Sequence, residues 1–437
     1  MRHKFFEYAI PSVISMWLYS LYSMTDGFFV ARGVGPTALA SVNIAIPFIN
    51  FIFSVSIFCA SGASTVISIY LGRGDGKSAR DAFMTNFAFL LGLSAVITFF
   101  ALARTPSLAA MLGATEHMAE GVTAYLRIIA AFSGFFIMTY FFEMMLRVDG
   151  HPRLATVSGL LAGITNVALD YLFVIKFHWG LSGAAYATGI AQMIPALTLA
   201  AYFKLRGRKL GFSKFRFDFS FVRRGLGLGF GDSVTEFSVG IAIFFFNHRI
   251  LRITGEDGVV SYTVIAYVAT LVVMTMCGIS QGMLPLSSYS HGRNDAASVV
   301  KILKLALATA SVCGAAWFAI AELFAPGVVS IFIDGAADGG LHASTVRAFR
   351  LYAPSFAIVG VNVVLATFFS TVERPGYGIA LSLCRGVFVM AASLYMMSAL
   401  FGIKGIWLSP AVSEAFCAAI GIFLFTRRAK RTRSDGR

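Results

Sequence analysis

The sequence predicts an all-α polytopic membrane protein, with twelve transmembrane helices arranged in two pseudo-symmetric six-helix bundles. The first observation is composition: 57% of the 437 residues are hydrophobic, 13% are charged, and the mean hydropathy is +0.77. Soluble domains carry about 25% charged residues, so an ordinary soluble enzyme is excluded. The second observation is a succession of long apolar runs separated by polar or Gly/Pro-rich segments. These runs are the predicted helices.

The apolar runs define the predicted helices in chain order. Each is about 20–35 residues long, which is enough to cross roughly 30 Å of hydrocarbon at 1.5 Å per residue. The first run follows "MRHKFF" and is too long for the apolar core of a signal peptide, so we expect it to be retained as a helix. The approximate limits are 5–30, 37–71, 80–103, 118–146, 153–176, 181–204, 222–250, 259–290, 297–323, 346–372, 377–400 and 403–426.

Basic residues predict the topology. Of the 35 lysines and arginines, eight lie within 204–224 and six within 427–437, in a loop and a tail that the positive-inside rule assigns to the cytoplasm. An even number of spans then puts both termini in the cytoplasm, and we expect a multi-pass plasma-membrane protein. Topology and contact with the lipid bilayer explain the net charge of +14 better than a nucleic-acid partner does. The five cysteines stand singly, without a CxxC motif, and predict neither a disulfide framework nor a metal cluster.

The two halves of the chain resemble each other. "GRGD" at 72–75 recurs as "GRND" at 292–295, and "GLSG" at 180–183 recurs as "GIKG" at 402–405, at offsets of 220 and 222. Six helices per copy keep both copies in one orientation, so the repeat axis runs along the membrane normal. We therefore predict an N-terminal bundle over 1–213, which holds a cation site, and a C-terminal bundle over 214–437 with a basic cytoplasmic tail.

Polar residues on three predicted helices of the first bundle share one depth. Asp26, Asp170 and Thr188 each lie roughly 9–10 Å from the predicted outer boundary at 1.5 Å per residue. Asn166 lies one turn deeper than Asp170, on the same helix face, within "GITNVALDYLF". Because ionisable groups inside a span are costly, they indicate function by default.

These four side chains all offer oxygen atoms, the ligands that hard cations prefer. Two carboxylates in a poorly hydrated pocket do not both stay charged cheaply, so one should hold a proton or share a cation. We therefore predict a site for H⁺ or Na⁺, and no other metal site. The alternative is that separate hydrogen bonds neutralise each acid. The eleventh predicted helix, within 385–402, has no carboxylate or amide, which favours placing the site in the first bundle.

Several segments resemble one transporter family. "AIPSVISMWLYSLYSMTDGFFVARGVG" is similar to the first helix of prokaryotic multidrug and toxic compound extrusion (MATE) transporters of the MOP flippase superfamily. "ITNVALDYLFVIKFHWGLSGAAYAT" resembles their fifth-to-sixth helix junction, and "GISQGMLPLSSYSHGRND" resembles their eighth-helix end. The resemblance implies cation-driven efflux through a V-shaped cavity between two six-helix bundles. It also implies that Asp26, Asn166, Asp170 and Thr188 form the cation site, and that the first helix bends at Pro11.

Four residues are candidates for lining a substrate cavity, namely Glu236, Asn247, Gln281 and Arg385. The resemblance makes Glu236 a counterpart of a seventh-helix glutamate that some family members use. Asn247 and Gln281 have interhelical hydrogen bonding as their alternative role. Arg385 has two alternatives, which are snorkelling toward the interface and pairing with Glu373.

The sequence thus predicts a cation-coupled antiporter that exports amphipathic, cationic organic compounds by alternating access. The chain has no Walker motif, so we expect an ion gradient to drive transport and no cofactor beyond the coupling ion. We also expect the protein to act as a monomer. A lipid-linked precursor or polysaccharide flippase of the same superfamily is the first alternative, although it would favour a basic cavity. A membrane-embedded enzyme is a remoter alternative, since no HExxH or GxSxG motif occurs.

Overall fold

The computed structural model describes residues 1–34, 36–114, 116–254, 256–333 and 339–434, and these ranges are almost entirely helical, with no β-strand. The helices are α1 (Arg2–Gly33), α2 (Pro36–Gly72), α3 (Gly76–Ala103), α4 (Thr105–Met111), α5 (Glu116–Asp149), α6 (Pro152–Asp170), a first π-helical turn (Tyr171–Lys176), α7 (Gly180–Leu205), α8 (Phe219–Thr254), α9 (Glu256–Gly292), α10 (Ala296–Leu323), α11 (Ala325–Ser330), α12 (Gly339–Tyr352), α13 (Pro354–Thr371), α14 (Pro375–Leu383), a second π-helical turn (Cys384–Phe388) and α15 (Val389–Ser434). The all-α prediction is therefore confirmed.

The helices account for all the predicted spans. Among the described residues, nine helical runs are long and apolar enough to cross a membrane. The last of them, Pro375–Thr426, contains both the eleventh and the twelfth predicted spans. The two spans are separate helices, since Gly402 between them has the non-helical dihedral angles φ 57° and ψ −133°. α1 and α8 cover the first and seventh predicted spans, with 32 and 36 residues.

The tenth predicted span, 346–372, is wrong as a single helix. α12 ends at Tyr352, and α13 begins at Pro354. Proline has no N–H, so the run of helical hydrogen bonds is interrupted at Pro354, although Ala353 before it keeps helical dihedral angles of φ −53° and ψ −35°.

Two compact units can be distinguished. One consists of Met1–Phe5, Phe230–Ser287 and Ala296–Arg437, and the other of Phe6–Gly229 and Ser288–Asp295. We call them unit 1 and unit 2. In unit 2, phenylalanines of α3, α5 and α7 pack against one another, and the ring centroids of Phe83 and Phe203 are 5.1 Å apart. Phe212, in the segment that follows α7, joins this cluster. The predicted domain boundary at 213/214 stays a prediction.

Matching loops of the two sequence copies have matching backbones. Gly74 and Asn294, in "GRGD" and "GRND", both have positive φ, at 80° and 57°. The following N–H of Asp75 and of Asp295 each reaches back five residues, at 3.0 Å in both copies, to close the end of the preceding helix. Gly180 and Gly402 also correspond, with φ of 62° and 57°. The local backbone therefore repeats in both of these loop pairs, which supports duplication.

Glycine permits α2 and α8 to approach each other closely within unit 2. A Cβ added at Gly62 would overlap the carbonyl oxygen of Gly225, and a Cβ added at Gly229 would overlap the carbonyl oxygen of Phe58. Both obstacles are backbone atoms, which cannot rotate away as a side chain could. Glycine at these positions is therefore a packing requirement.

Gly62→Val should destabilise the protein by about 1–3 kcal/mol or more, because the added side chain would force α2 and α8 apart. The measurement is thermal unfolding in detergent, followed by intrinsic fluorescence. Gly92→Val is the matched control, since Gly92 is a helical glycine of α3 with nothing within 4 Å of an added Cβ. Equal unfolding temperatures for the two variants would contradict this account of the helix contact.

Candidate functional site

One face of α6 carries the central polar pair. Its buried residues follow each other at intervals of three or four, the spacing of a single helical stripe. The first part of the stripe consists of small residues, whereas its last two members are Asn166 and Asp170. Both side chains have no solvent exposure. The sequence prediction that they share one face is therefore confirmed.

Asn166 contacts the next helix directly. Its Nδ2 donates a hydrogen bond of 3.3 Å to Oγ1 of Thr188 on α7, and Thr188 is itself buried. The Asn166 carbonyl oxygen, Oδ1, is buried and has no hydrogen-bond partner among the described residues. Buried polar atoms are nearly always satisfied, so such an oxygen calls for an explanation. A hard cation, which prefers oxygen ligands, would supply one.

Asp170 lies at a change of helix type. It is the last residue of α6, and the first π-helical turn begins at Tyr171. Such π-helical insertions are frequent at functional sites. Beyond the turn, the ring of Trp179 stacks on that of Phe173 with centroids 4.6 Å apart, and the backbone N–H of Trp179 donates to the carbonyl oxygen of Phe173 at 2.9 Å. This packing fixes the junction that carries Asp170 toward α7.

The structure tests only part of the predicted four-residue cluster. It brings Asn166 and Thr188 into contact and puts Asp170 on the same buried face. The backbone of Asp26 belongs to α1, but its side chain lies outside the described residues. Convergence of all four therefore stays a prediction. In the part of the chain that is described, no group of three or more His, Cys, Asp or Glu residues is arranged to hold a metal ion.

Pro11 lies inside α1, and the helix continues through it. Its carbonyl oxygen accepts hydrogen bonds from Thr156 Oγ1 at 2.8 Å and from Ser15 Oγ at 3.0 Å. Because Thr156 belongs to α6, these bonds connect the predicted hinge of α1 to the helix that carries Asp170. The hinge role itself stays a prediction.

A buried arginine also holds this end of α1. Arg147 of α5 has 1% exposure, and its Nε donates to Ser12 Oγ at 3.2 Å. A guanidinium so deeply buried is unusual unless it is bonded or paired. It adds a second polar contact next to Pro11, from a different helix.

The remaining cavity candidates are less well defined. The side chain of Glu236 lies outside the described residues, although its backbone is part of α8. Asn247 of α8 is half-buried, and its Oδ1 has no hydrogen-bond partner within the described ranges. Gln281 lies in α9. No described contact joins these residues, so their substrate role stays a prediction.

Arg385 pairs with Glu414 and not with Glu373, which corrects the predicted pairing. Its Nε donates to Glu414 Oε1 at 2.7 Å. Asn362 Nδ2 donates to the other carboxylate oxygen at 2.6 Å. Glu414 was missed in the sequence, although an acid inside the apolar run "AVSEAFCAA" is a sufficient signal.

A second missed feature is the carboxylate of Asp149, which lies at the end of α5 and has no exposure. It accepts hydrogen bonds from the backbone N–H groups of Arg208, Lys209 and Leu210, at 3.1, 2.7 and 3.0 Å. The hydroxyl of Tyr202 donates to it at 2.9 Å. One acid thus holds the start of the basic segment that follows α7.

A cavity of about 590 Å³ lies elsewhere in unit 2, between α2, α3 and α4. Its lining is almost wholly apolar and includes Phe48, Phe51 and Phe100. None of the predicted site residues lines it. An apolar hollow on a helix surface suits lipid chains, and we assign it no role in ion binding.

Comparison with known proteins identifies relatives over nearly the whole chain. A family model described as MatE matches residues 11–172 and 230–396. The multidrug export protein MepA of Staphylococcus saprophyticus subsp. saprophyticus is 21% identical over 427 residues, covering 96% of this chain and 92% of the relative. MepA of Staphylococcus aureus is also 21% identical, over 435 residues, with the same coverage.

Solved structures share the fold. One is described as the outward-facing conformation of a multidrug resistance MATE family transporter of the MOP superfamily. It matches with a TM-score of 0.93 and 22% identity, over 99% of this chain and 97% of that one. A MOP superfamily transporter from Pyrococcus furiosus matches with a TM-score of 0.91 and 22% identity, over 98% and 95%. The predicted twelve-helix, two-bundle architecture fits this fold and is confirmed.

Proposed function

The chain belongs to the MatE family, and we propose that it is a multidrug efflux antiporter that exchanges H⁺ or Na⁺ for amphipathic, cationic organic compounds. It is a multi-pass membrane protein. Its relatives are named as exporters and transporters, which supports a transporter as opposed to an enzyme. The curated relatives are named multidrug export proteins, which supports the substrate class. The coupling ion and its site are inferred from the residues of this chain.

The buried polar pair on α6 is the observation that carries the proposal. Asp170 is fully buried in a helix that is apolar enough to span a membrane. A carboxylate in such a place is expensive unless a proton or a cation neutralises it. The unsatisfied Oδ1 of Asn166, one turn away, offers a further oxygen, and the bond from Asn166 to Thr188 fixes the orientation of that amide. The donor set therefore suits either H⁺ or Na⁺.

The effect of ion binding at Asp170 would be transmitted to the predicted hinge at Pro11 through α6. Asp170 is near one end of this helix, and Thr156, which bonds to the Pro11 carbonyl oxygen, is fourteen positions earlier, about 21 Å away at 1.5 Å per residue. Loss of charge at Asp170 removes the cost of packing α1 against this part of α6. In the proposed cycle, the ion enters from outside, α1 repacks, and attraction for the cationic substrate falls, so the substrate is released outward.

The remaining attributes follow as parts of the same proposal. The protein resides in the plasma membrane with both termini in the cytoplasm, acts as a monomer, uses no cofactor beyond the coupling ion, and binds no nucleic acid. The flippase alternative would favour a free basic group for phosphate. Arg385 is paired with Glu414, so its guanidinium is not a free basic group and does not support that alternative.

Everted membrane vesicles test the function. Ethidium is the probe, and a proton gradient and a sodium gradient are imposed separately. We expect uptake that depends on one of the two gradients and is absent from vesicles that lack the protein. Uptake that is equal with and without both gradients would contradict coupled antiport.

A further inference from the structure

Unit 1 contains a charged cluster inside its apolar helices. Both carboxylate oxygens of Glu414 on α15 are engaged, Oε1 by Arg385 Nε at 2.7 Å and Oε2 by Asn362 Nδ2 at 2.6 Å. The same Asn362 nitrogen also donates to the backbone carbonyl oxygen of Glu414, at 2.8 Å. The side chains of Arg385 and Glu414 are only 16% and 11% exposed, and Asn362 is fully buried. This is an ion pair held in place by an amide.

Arg385 and Glu414 belong to the helix pair that repeats α6 and α7, whereas Asn362 belongs to α13. In each copy, the first helix contains a π-helical turn, and a glycine with positive φ (Gly180 or Gly402) marks the change to the second helix. In the first copy, the first helix carries the acid Asp170, and Asn166, one turn earlier, donates a hydrogen bond to the hydroxyl of Thr188 on the second helix. In the second copy, the π-helical turn carries the cation Arg385, and the second helix carries the acid.

We propose that unit 1 contains an internal cation site, which the guanidinium of Arg385 occupies permanently, so that the Glu414 carboxylate exchanges neither H⁺ nor Na⁺ during transport. A guanidinium keeps its proton in proteins and cannot diffuse away from the carboxylate. The Arg385 side chain therefore neutralises Glu414 permanently, whereas a mobile cation would do so only while it is bound. This inference deepens the proposed function, on which it rests, by confining ion exchange to the Asn166–Asp170 site.

Removing the tethered cation should turn the cluster into a working ion site. Without Arg385, the carboxylate of Glu414 would remain in an apolar span, with the Asn362 amide as its hydrogen-bond donor and the side chains of Tyr352 and Cys417 nearby. A buried charge left without its partner is strongly unfavourable, so it takes up a proton or a cation. The space left by the guanidinium borders the carboxylate oxygen that would bind that ion.

The experiment uses the full-length protein in lipid nanodiscs, with Asp170→Asn as the background. Infrared difference spectra follow the carboxyl band as pH falls, and binding of radioactive sodium is measured in parallel. With Arg385 present, we expect neither signal from Glu414. Adding Arg385→Met should produce an additional ion-responsive carboxyl or an additional bound sodium per chain, and further addition of Glu414→Gln should abolish it.

Arg249→Met is the matched control. Arg249 is also a half-buried arginine of unit 1, but its Nε donates to a hydroxyl, Ser398 Oγ, at 2.8 Å. This substitution should create no new ion-responsive group. The absence of a new signal in folded Arg385→Met protein would overturn the proposal.

A second readout keeps the proposal testable if Arg385→Met does not fold. With Arg385 intact in the Asp170→Asn background, any ion-responsive signal that Glu414→Gln removes would also overturn the proposal. Failure of the proposed function would look different, because gradient-driven efflux would then survive in the Asp170→Asn variant whatever Glu414 does.

Discussion

Asp170→Asn is expected to reduce gradient-driven ethidium efflux from proteoliposomes by about tenfold or more, toward the level of protein-free liposomes. Asparagine has nearly the shape of aspartate, but it can neither release a proton nor offer a negative charge to sodium. The buried stripe of α6 and the bond from Asn166 to Thr188 should persist, so the variant should fold. Ethidium binding, measured by fluorescence in detergent, should also weaken, because asparagine mimics the neutralised state in which attraction for the cationic substrate falls.

Asp218→Asn provides the matched control for this substitution. Asp218 is exposed, precedes α8, and accepts a hydrogen bond of 2.9 Å from the N–H of Ser220. That bond lowers the pKa of the Asp218 carboxyl. Asparagine serves equally well at a helix N-terminus, so this variant should transport normally. Undiminished efflux in Asp170→Asn would remove Asp170 from the mechanism.

Asp149→Ala is expected to destabilise the protein by about 2–4 kcal/mol. The carboxylate of Asp149 accepts from three consecutive backbone N–H groups, in 208–210, and from the hydroxyl of Tyr202. A buried donor that loses its acceptor costs about 1–3 kcal/mol, and water can replace part of the loss because Arg208 and Lys209 are exposed. The basic segment should therefore detach from the end of α5. Thermal unfolding would measure the loss of stability.

Limited trypsin digestion would locate the effect of Asp149→Ala. Arg206, Arg208 and Lys209 are potential cleavage sites within the segment that Asp149 holds, and cleavage there should be faster in the variant. Tyr202→Phe removes one donor and leaves the three backbone donors on the carboxylate, so its loss should be about 1 kcal/mol. If Asp149→Ala and Tyr202→Phe behaved alike in both measurements, the acid would not be what holds the segment.

Elements that depend on local sequence were predictable. Long apolar runs gave the helices, and the spacing of Asn166 and Asp170 was enough to place both on one face, since a helical turn fixes their relation. The loss of the N–H at Pro354 interrupted the tenth predicted span, although the proline itself was a visible signal. Hydropathy averaged over a window hides such single-residue effects.

Contacts between distant residues were not predictable in the same way. The bonds of Glu414 with Arg385 and Asn362 join residues that are 29 and 52 positions apart, and they depend on how separate helices pack. The Asp149 carboxylate is held by backbone groups about 60 positions later, whose N–H directions depend on the loop conformation. A sequence alone shows that an acid lies in or beside an apolar span, but its partner depends on tertiary structure.

Substrate-driven ion movement tests the central claim most directly. Proteoliposomes are prepared without an imposed ion gradient, ethidium is added on one side, and a pH-sensitive dye and a sodium-sensitive dye report ion movement. We predict that ethidium entry drives one of the two ions in the opposite direction, and that Asp170→Asn abolishes this movement whereas Asp218→Asn does not. Ethidium entry at the normal rate without opposite movement of either ion would contradict coupling at Asp170.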